Sequence, residues 1–380
     1  YGFNSALKEL EGSTSTSSSP KAGTELTKTA SLFEMPDAGL SAKGNYECIT
    51  TPEQLAIWRK KLEAVALFCF DTETDALDSM QAGLVGISLS VATGHAAYIP
   101  VAHRYPGVPT QLSWQEVADA LRPMLENPAI HKVGQHGKYD LHVLRRHGIN
   151  VQGYTEDTLM ESFVFNAGIS RHDMDTLAQK YLGYTTIKFE EVCGKGAKQI
   201  SFADVDLERA TAYAAEDADI TLRLHQVLSE KLKATPSLEK VYREIEMPLV
   251  PVLTRMEANG ILIDAVELKR QSADLTQRMH HTQQRAYEIA GRSFNLDSPK
   301  QVGALLFDEL KLPAMVKTPT GAPSTNEEAL EAIADQHELP RLILDHRGMA
   351  KLRSTYTDKL PEMINPTTGR VHTSYHQAGA

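Results

Sequence analysis

The sequence of 380 residues has few cysteines and lacks any long apolar run. Its three cysteines, Cys48, Cys69 and Cys193, are odd in number and have no CxxC spacing. This pattern predicts reduced thiols and excludes a disulfide framework or a zinc knuckle. The longest apolar run, around residues 65–70, is far too short to cross a bilayer. We therefore expect a cytosolic protein with no membrane segment.

Positive charge is also scarce, with 39 Lys and Arg against 49 Asp and Glu and a net charge of -10 at pH 7. This balance argues weakly against a nucleic-acid binder, because phosphate contacts favour Lys and Arg. It does not exclude a metal-dependent nuclease, since such a site needs clustered acids and bound cations reverse the local field. The length allows two or three domains. Because the chain starts at Tyr1 without Met, we expect a fragment of a longer protein.

The sequence pattern changes twice along the chain. Residues 1–45 include a Ser/Thr-rich tract that predicts a flexible linker, with a phosphorylation tract as the alternative. Residues 46–234 alternate apolar strands with amphipathic helices, which predicts a mixed α/β domain. After Pro236 the strand signals nearly vanish, so residues 235–380 predict a mainly helical segment.

Local signals predict where several helices begin and end. Three Ser or Thr residues are predicted N-caps: Thr51 before Pro52, Ser298 before Pro299, and Ser324 in a capping box with Glu327. Gly291 predicts the end of a long amphipathic helix. Residues 340–360 predict one further helix, and residues 365–377 predict a turn that enters a strand.

Acidic side chains collect around the end of an apolar strand. Residues i and i+2 of a strand point the same way, so Asp71 and Glu73 project from one face, a costly pairing without a cation. Asp140 lies where a predicted strand passes into a helix, while Tyr213 and Asp217 share one face of another helix. Each feature alone is common in loops or on solvated helix faces. Together they predict an oxygen-ligand site for Mg²⁺ or Mn²⁺, and carboxylate-bound metal pairs cleave phosphodiesters.

The motifs DTETD, GQHGKYD and YAAEDAD resemble the three motifs of the DEDD exonuclease superfamily, in the form with Tyr in the last motif. Further stretches, including AAYIPVAH, RHDMDTLA and KLRSTYTDKLPEMINPTTGRVHTSYHQA, resemble bacterial family A DNA polymerases, and the likeness covers nearly everything from Tyr46 onward. It implies that residues 46–234 form a 3′–5′ proofreading exonuclease domain. The implied fold is ribonuclease-H-like, a mixed α/β sheet with flanking helices. Residues 235–380 would be the start of the polymerase domain, including the thumb.

The resemblance also assigns roles at the acidic site. Asp71, Glu73 and Asp217 would hold one divalent ion, and Asp71 with Asp140 would hold the second, partly through water. Mg²⁺ is the expected ion, with Mn²⁺ or Zn²⁺ as alternatives. Tyr213 would orient the attacking water.

Four further residues match positions where this family contacts a single strand. Leu77 would wedge against the terminal base, with a small core residue as the alternative. Gln135 would help to bind the strand end, and His136, where the family usually has Asn, can still donate a hydrogen bond. Phe202 would line the path of the strand by stacking, with a core position as the equal alternative.

By the same resemblance, the helical segment would grip duplex DNA by contacts with the DNA backbone. The candidate contacts lie in two stretches and comprise Ser324, Thr325, Lys351, Arg353, Ser354, Tyr356 and Lys359. A solvated basic helix face is the alternative.

The resemblance predicts a metal-dependent 3′–5′ DNA exonuclease that acts as a monomer in the bacterial cytoplasm, associated with the nucleoid. Its partners would be a single-stranded 3′ end and a duplex. The palm aspartates and the fingers helix have no counterpart in the sequence, so polymerisation is not expected of it. Two alternatives are a catalytically weak DNA-binding scaffold and an RNA-trimming exonuclease.

Overall fold

The computed structural model of the protein describes residues 44–169 and 171–379. The predicted linker, residues 1–45, therefore lies outside the described residues except for Gly44 and Asn45. All three cysteines are free. No helix in the described part of the chain is long and apolar enough to cross a membrane.

Within these residues one mixed sheet has the strand order β1-β4-β3-β2-β5-β6. The strands are β1 (Asn45–Cys48), β2 (Leu67–Thr74), β3 (Leu84–Ala92), β4 (His95–Pro100), β5 (His131–Gly134) and β6 (Tyr154–Asp157). The β2–β3 and β3–β4 pairs are antiparallel, whereas β1–β4, β2–β5 and β5–β6 are parallel. The predicted fold class, a mixed α/β sheet with flanking helices followed by a helical segment, is confirmed.

Helices cover both faces of the sheet. They are α1 (Pro52–Glu63), α2 (Trp114–Leu125), α3 (Lys138–Arg146), α4 (Thr158–Phe165), α5 (Met174–Leu177), α6 (Phe189–Cys193) and α7 (Leu207–Lys233). On one face Phe68 and Phe70 of β2 pack with Trp58 of α1 in the largest core cluster. On the other face Cys69 packs against Ala218 of α7. Because side chains alternate along a strand, Asp71 and Glu73 share the α7 side with Cys69.

The rest of the described chain is helical. Its helices are α8 (Pro236–Val241), α9 (Met247–Asn259), α10 (Ala265–Ala290), α11 (Pro299–Gly303), α12 (Glu327–Glu331), α13 (Glu338–Leu352) and α14 (Lys359–Glu362). A separate apolar core, which includes Ala286, Leu306 and Ile343, joins α10, α13 and the segment between them.

Most of the predicted helix boundaries are confirmed. Thr51 and Ser298 cap α1 and α11 with proline in the first turn, and Gly291 ends α10 with φ 67°. The capping box at Ser324 is wrong, because Asn326 caps α12 by accepting a hydrogen bond from the Ala329 amide at 3.0 Å.

Two other expectations also differ from the structure. The single helix predicted for residues 340–360 is divided by a π-helical turn at Arg353–Thr357. The predicted strand after residue 365 is reduced to isolated bridges, Asn365 with Arg370 and Val371 with Ile261, since no long neighbouring strand lies there in the described residues. Strands β1 and β6 were not expected, because each has only 4 residues and shows no clear alternation.

Candidate active site

Three carboxylates meet between β2 and α7. One oxygen each from Asp71, Glu73 and Asp217 lies within 4.8 Å of the others. The i, i+2 spacing on the strand brings the first two to one face, and the face of α7 that packs on the sheet supplies the third. Three carboxylates at this separation could hold a cation between them.

The chain itself does not neutralise these acids. Glu73 Oε1 and Asp217 Oδ1 are buried and have no hydrogen-bond partner among the described residues. Burial raises the pKa of Asp71 to about 8, and the neighbouring charge of Asp217 adds to this shift. Burial likewise raises the pKa of Glu73 and of Asp217 well above the usual range. Unpaired buried oxygens of this kind are what a divalent cation would bind, so the residues present fit such an ion.

Asp140, in the first turn of α3, lines the same cleft as Asp71 but is not one of the three acids whose oxygens lie within 4.8 Å of one another. Its Oδ1 accepts a hydrogen bond from the Thr72 amide at 3.0 Å and a second, short one from the Thr72 hydroxyl. Burial raises the pKa of Asp140, and the charge of Asp71 raises it further. Asp140 is thus fixed to the strand that carries Asp71, at the wall of a shared cleft.

Tyr213 lies next to Asp217 and packs against two aromatic rings. Burial raises the pKa of Asp217, but the Tyr213 hydroxyl lies near enough to offset part of this effect. The Phe202 ring is 5.9 Å from the Tyr213 ring and is only 1 % exposed. This burial agrees with the alternative interpretation of Phe202 as a core residue, and its place on the path of a strand stays a prediction.

Phe189 on α6 is the aromatic residue that the sequence reasoning missed. It is 40 % exposed, and its ring lies edge-on to Tyr213 at 6.2 Å. No motif marks it in the sequence; its place in a short segment just before the Tyr-containing motif is the only signal. Part of the Phe189 ring is therefore accessible to solvent, whereas the Phe202 ring is not.

Gly86 was also missed, and it shapes the environment of Glu73. The two residues are partners in the β2–β3 pair. A side chain at Gly86 would bring Cβ within 2.2 Å of the Tyr98 hydroxyl oxygen. Burial raises the pKa of Tyr98, and the nearby Glu73 charge contributes. Glycine is therefore required for Tyr98 to pack beside the acidic site.

A cleft of about 500 Å³ opens beside the acids. Asp71 and Asp140 line it, together with Leu77, which is 98 % exposed. The alternative interpretation of Leu77 as a core residue is therefore wrong. Its exposed apolar side chain at the cleft is available to a ligand, and the wedge role stays a prediction.

Gln135 and His136 also line the cleft but differ in what they can offer. The side-chain amide of Gln135 donates to the His172 carbonyl at 2.8 Å and accepts a hydrogen bond from the Thr158 hydroxyl. Both ends of this amide therefore have partners within the protein. His136 is exposed and has φ 58°. Asn and His tolerate this left-handed region better than most residues, so the backbone here suits either side chain.

The predicted duplex contacts on the helical segment divide into two groups. Ser324 and Thr325 are buried, and the Thr325 carbonyl accepts a hydrogen bond from Arg347 at 2.5 Å. Burial leaves their hydroxyls little access to a phosphate in this structure, and the contact stays a prediction. Lys351, Ser354, Tyr356 and Lys359 are exposed and Arg353 is half-buried, so these five stay candidates.

Comparison with known proteins agrees with the fold. Residues 46–233 match the family described as 3′–5′ exonuclease, and residues 265–380 match DNA polymerase family A. The acidic site thus lies in an enzyme domain of the 3′–5′ exonuclease class. Residues 46–233 thus belong to the exonuclease family, and residues 265–380 belong to DNA polymerase family A.

Relatives and a solved structure extend this match. The chain is 53% identical over 344 residues to DNA polymerase I of Pseudomonas aeruginosa, covering 90% of this chain and 38% of that protein. It is 44% identical over 340 residues to DNA polymerase I of Rhizobium leguminosarum, covering 84% of this chain and 33% of that protein. The chain thus spans well under half the length of these relatives.

A similar solved structure is the POL domain of Pol1 from M. smegmatis in complex with DNA primer-template and dNTP. The TM-score is 0.71 at 25% identity, and the match covers 88% of this chain and 53% of that chain.

Proposed function

We propose that the chain hydrolyses the terminal phosphodiester of a DNA strand in the 3′–5′ direction, with two divalent ions at the acidic site. The observation that carries this proposal is the group of Asp71, Glu73 and Asp217 with its unpaired buried oxygens. Asp140 completes the ligand set from the cleft wall. Mg²⁺ is the proposed ion, since hard oxygen ligands suit it, with Mn²⁺ or Zn²⁺ as alternatives.

The ions, when bound, would activate a water molecule and stabilise the charge that develops on the reacting phosphate. The residues of the chain would do the rest. Asp71 would be shared between the two ions, because it lies in the group with Glu73 and Asp217 and also lines the cleft with Asp140. Tyr213, beside Asp217, would orient the attacking water. Leu77 would pack against the terminal base, and Phe189 would offer a stacking surface.

The proposed substrate is DNA with a frayed or mispaired end, which makes the activity a proofreading one. The similar structure from M. smegmatis is a complex with DNA primer-template, and this supports DNA over RNA. The exposed cations of the helical segment would meet the duplex backbone. Action as a monomer in the bacterial cytoplasm, at the nucleoid, is part of the same proposal.

The test is replacement of Asp140 by Ala. We expect release of nucleotides from the 3′ end of a labelled strand in Mg²⁺ to fall by at least a hundredfold, because one ion loses a ligand. Asp75→Asn is the matched control: Asp75 lies near the same strand end but is exposed and bonds the Gly83 amide at 2.7 Å. Unimpaired release by Asp140→Ala would refute the proposal.

The same assay separates the alternatives. Tight duplex binding without Mg²⁺-dependent shortening by the wild-type chain would favour a DNA-binding scaffold. Faster shortening of an RNA strand than of the DNA strand of the same sequence would favour RNA trimming.

A further inference from the structure

A buried carboxylate from the helical segment lies against the helix that carries Asp140. Glu257 on α9 is 4 % exposed. Its carboxylate accepts hydrogen bonds from Lys138 Nζ and from His142 Nε2, the latter at 2.8 Å. Lys138 and His142 lie four residues apart on α3, so one face of that helix is held by a single acid from another part of the chain.

The same acid also holds the C-terminal stretch of the cleft. Its carboxylate accepts a hydrogen bond from the Tyr375 amide at 2.7 Å, and its backbone carbonyl lies 2.7 Å from His372 Nδ1. Lys138 Nζ donates in addition to the Tyr375 carbonyl. His372 and its two successors line the cleft together with Glu257 and Asp140. One residue therefore fixes both α3 and the segment that faces it.

The charge of Glu257 is balanced within this network. Burial raises the pKa of Glu257, but hydrogen bonds from His142, Lys138 and the Tyr375 amide outweigh it and bring the pKa below its usual value. The carboxylate is thus ionised at neutral pH. Its removal would leave the buried Lys138 ammonium without a counter-charge, which is a strongly unfavourable arrangement.

Helix α3 is held from two sides. Asp140 in its first turn bonds Thr72 of β2 on one side, and Lys138 with His142 bond Glu257 on the other. We propose that Glu257 is a positioning residue for the exonuclease reaction and that it keeps Asp140 at the acidic site from outside the matched exonuclease domain. This inference rests on the proposed function.

The expected effect follows from the behaviour of residues that support metal ligands. Replacing such residues typically lowers metal affinity or activity by about 10–100-fold. Glu257 acts through a helix and not directly on a ligand, so we expect the lower end of that range. Because Asp140 would hold an ion and not the strand itself, kcat should fall more than KM rises.

The experiment compares Glu257→Gln and Glu257→Ala with wild type and with Glu246→Gln. Glu246 is the matched control because it directly precedes α9, accepts a hydrogen bond from Gln377 at 3.1 Å and makes no hydrogen bond to α3 among the described residues. Calorimetric titration with Mn²⁺, kcat and KM on a labelled single strand, and the melting temperature are measured for each. We expect about tenfold weaker Mn²⁺ binding and a lower kcat in Glu257→Gln, and changes within twofold in Glu246→Gln.

Mn²⁺ affinity and kcat within twofold of wild type in Glu257→Gln would overturn the proposal. Equal losses in Glu246→Gln would also overturn it, because they would reveal a general loss of stability. If Glu257→Ala does not fold, Glu257→Gln alone decides. If the wild-type chain fails to shorten DNA, the proposed function fails, and the Mn²⁺ titration still decides whether Glu257 positions Asp140.

Discussion

Single residues of the site differ in how far the sequence could predict them. Strand and helix periods predict that Asp71 lies beside Glu73 and that Tyr213 lies beside Asp217, because the two members of each pair are close in sequence. The burial of Phe202 and the exposure of Phe189 depend on tertiary packing, which no local pattern specifies. The sequence therefore left the core and strand-path interpretations of Phe202 open, and it gave no sign that Phe189 is the exposed ring beside Tyr213.

The two phenylalanines should separate stability from strand binding. Phe202→Ala removes a buried ring and should cost about 3–5 kcal/mol of unfolding free energy. Phe189→Ala removes a partly exposed ring and should change stability little, but it should weaken single-strand binding by about 1–3 kcal/mol if the ring stacks on a base. Urea unfolding and fluorescence titration with a short labelled strand measure the two effects.

Leu is the matched replacement at both positions, since it keeps apolar bulk without a stacking face. Phe189→Leu should behave like Phe189→Ala in binding, whereas Phe202→Leu should recover most of the lost stability. Unchanged strand binding in both Phe189 variants would show that this ring is not a stacking platform.

At the scale of elements, the starts of α1 and α11 were predictable because a capping Ser or Thr directly precedes a proline. The stretch Ser324-Thr325-Asn326 offers three capping residues in a row, and tertiary contacts choose among them. The Ser324 amide donates to the Val316 carbonyl at 2.9 Å, and Arg347 holds the Thr325 carbonyl. These contacts draw the first two residues away from the helix and leave Asn326 as its cap.

Asn326→Ala should therefore destabilise the helical segment by about 1 kcal/mol, the usual cost of losing an N-cap. Ser324→Ala is the comparison, and its effect should be smaller because the Ser324 hydroxyl accepts only a long hydrogen bond of 3.3 Å from the Asn326 amide. Urea unfolding followed by circular dichroism measures both. A larger loss in Ser324→Ala than in Asn326→Ala would restore the capping box expected from the sequence.

At the scale of the whole molecule, the α/β and helical parts are joined through buried charges that no sequence motif marks. Tyr242 and Arg243, in the turn before α9, both bond Glu156 at the end of β6, at 3.0 Å and 2.6 Å. Glu161 on α4 lies beside them and pairs with His225 of α7 at 2.6 Å. These partners are far apart in sequence, so periodicity and spacing could not have revealed them.

This junction should make stability depend on pH. Burial raises the pKa of Glu161 to about 7, although His225 acts in the opposite direction. Burial lowers the pKa of His225, but its pair with Glu161 outweighs this and leaves the pKa above its usual value. The pKa values of both groups are thus higher in the folded than in the unfolded state, so the folded state binds a proton more tightly. The stability gained from this proton is present in acid and is lost as the pH rises through about 7.

We expect the unfolding free energy of the wild-type chain in EDTA to fall on the order of 1 kcal/mol between pH 6 and pH 8.5 from this pair. Glu161→Gln cannot ionise and should show a flatter dependence, measured by urea unfolding at several pH values. Glu63→Gln removes an exposed ion pair with Arg59 on α1, and its unfolding free energy should show the same pH dependence as that of wild type. The active-site acids titrate equally in all three proteins, so the difference between the curves isolates the junction. Equal slopes for Glu161→Gln and wild type would mean that the Glu161–His225 pair keeps its proton state across this range.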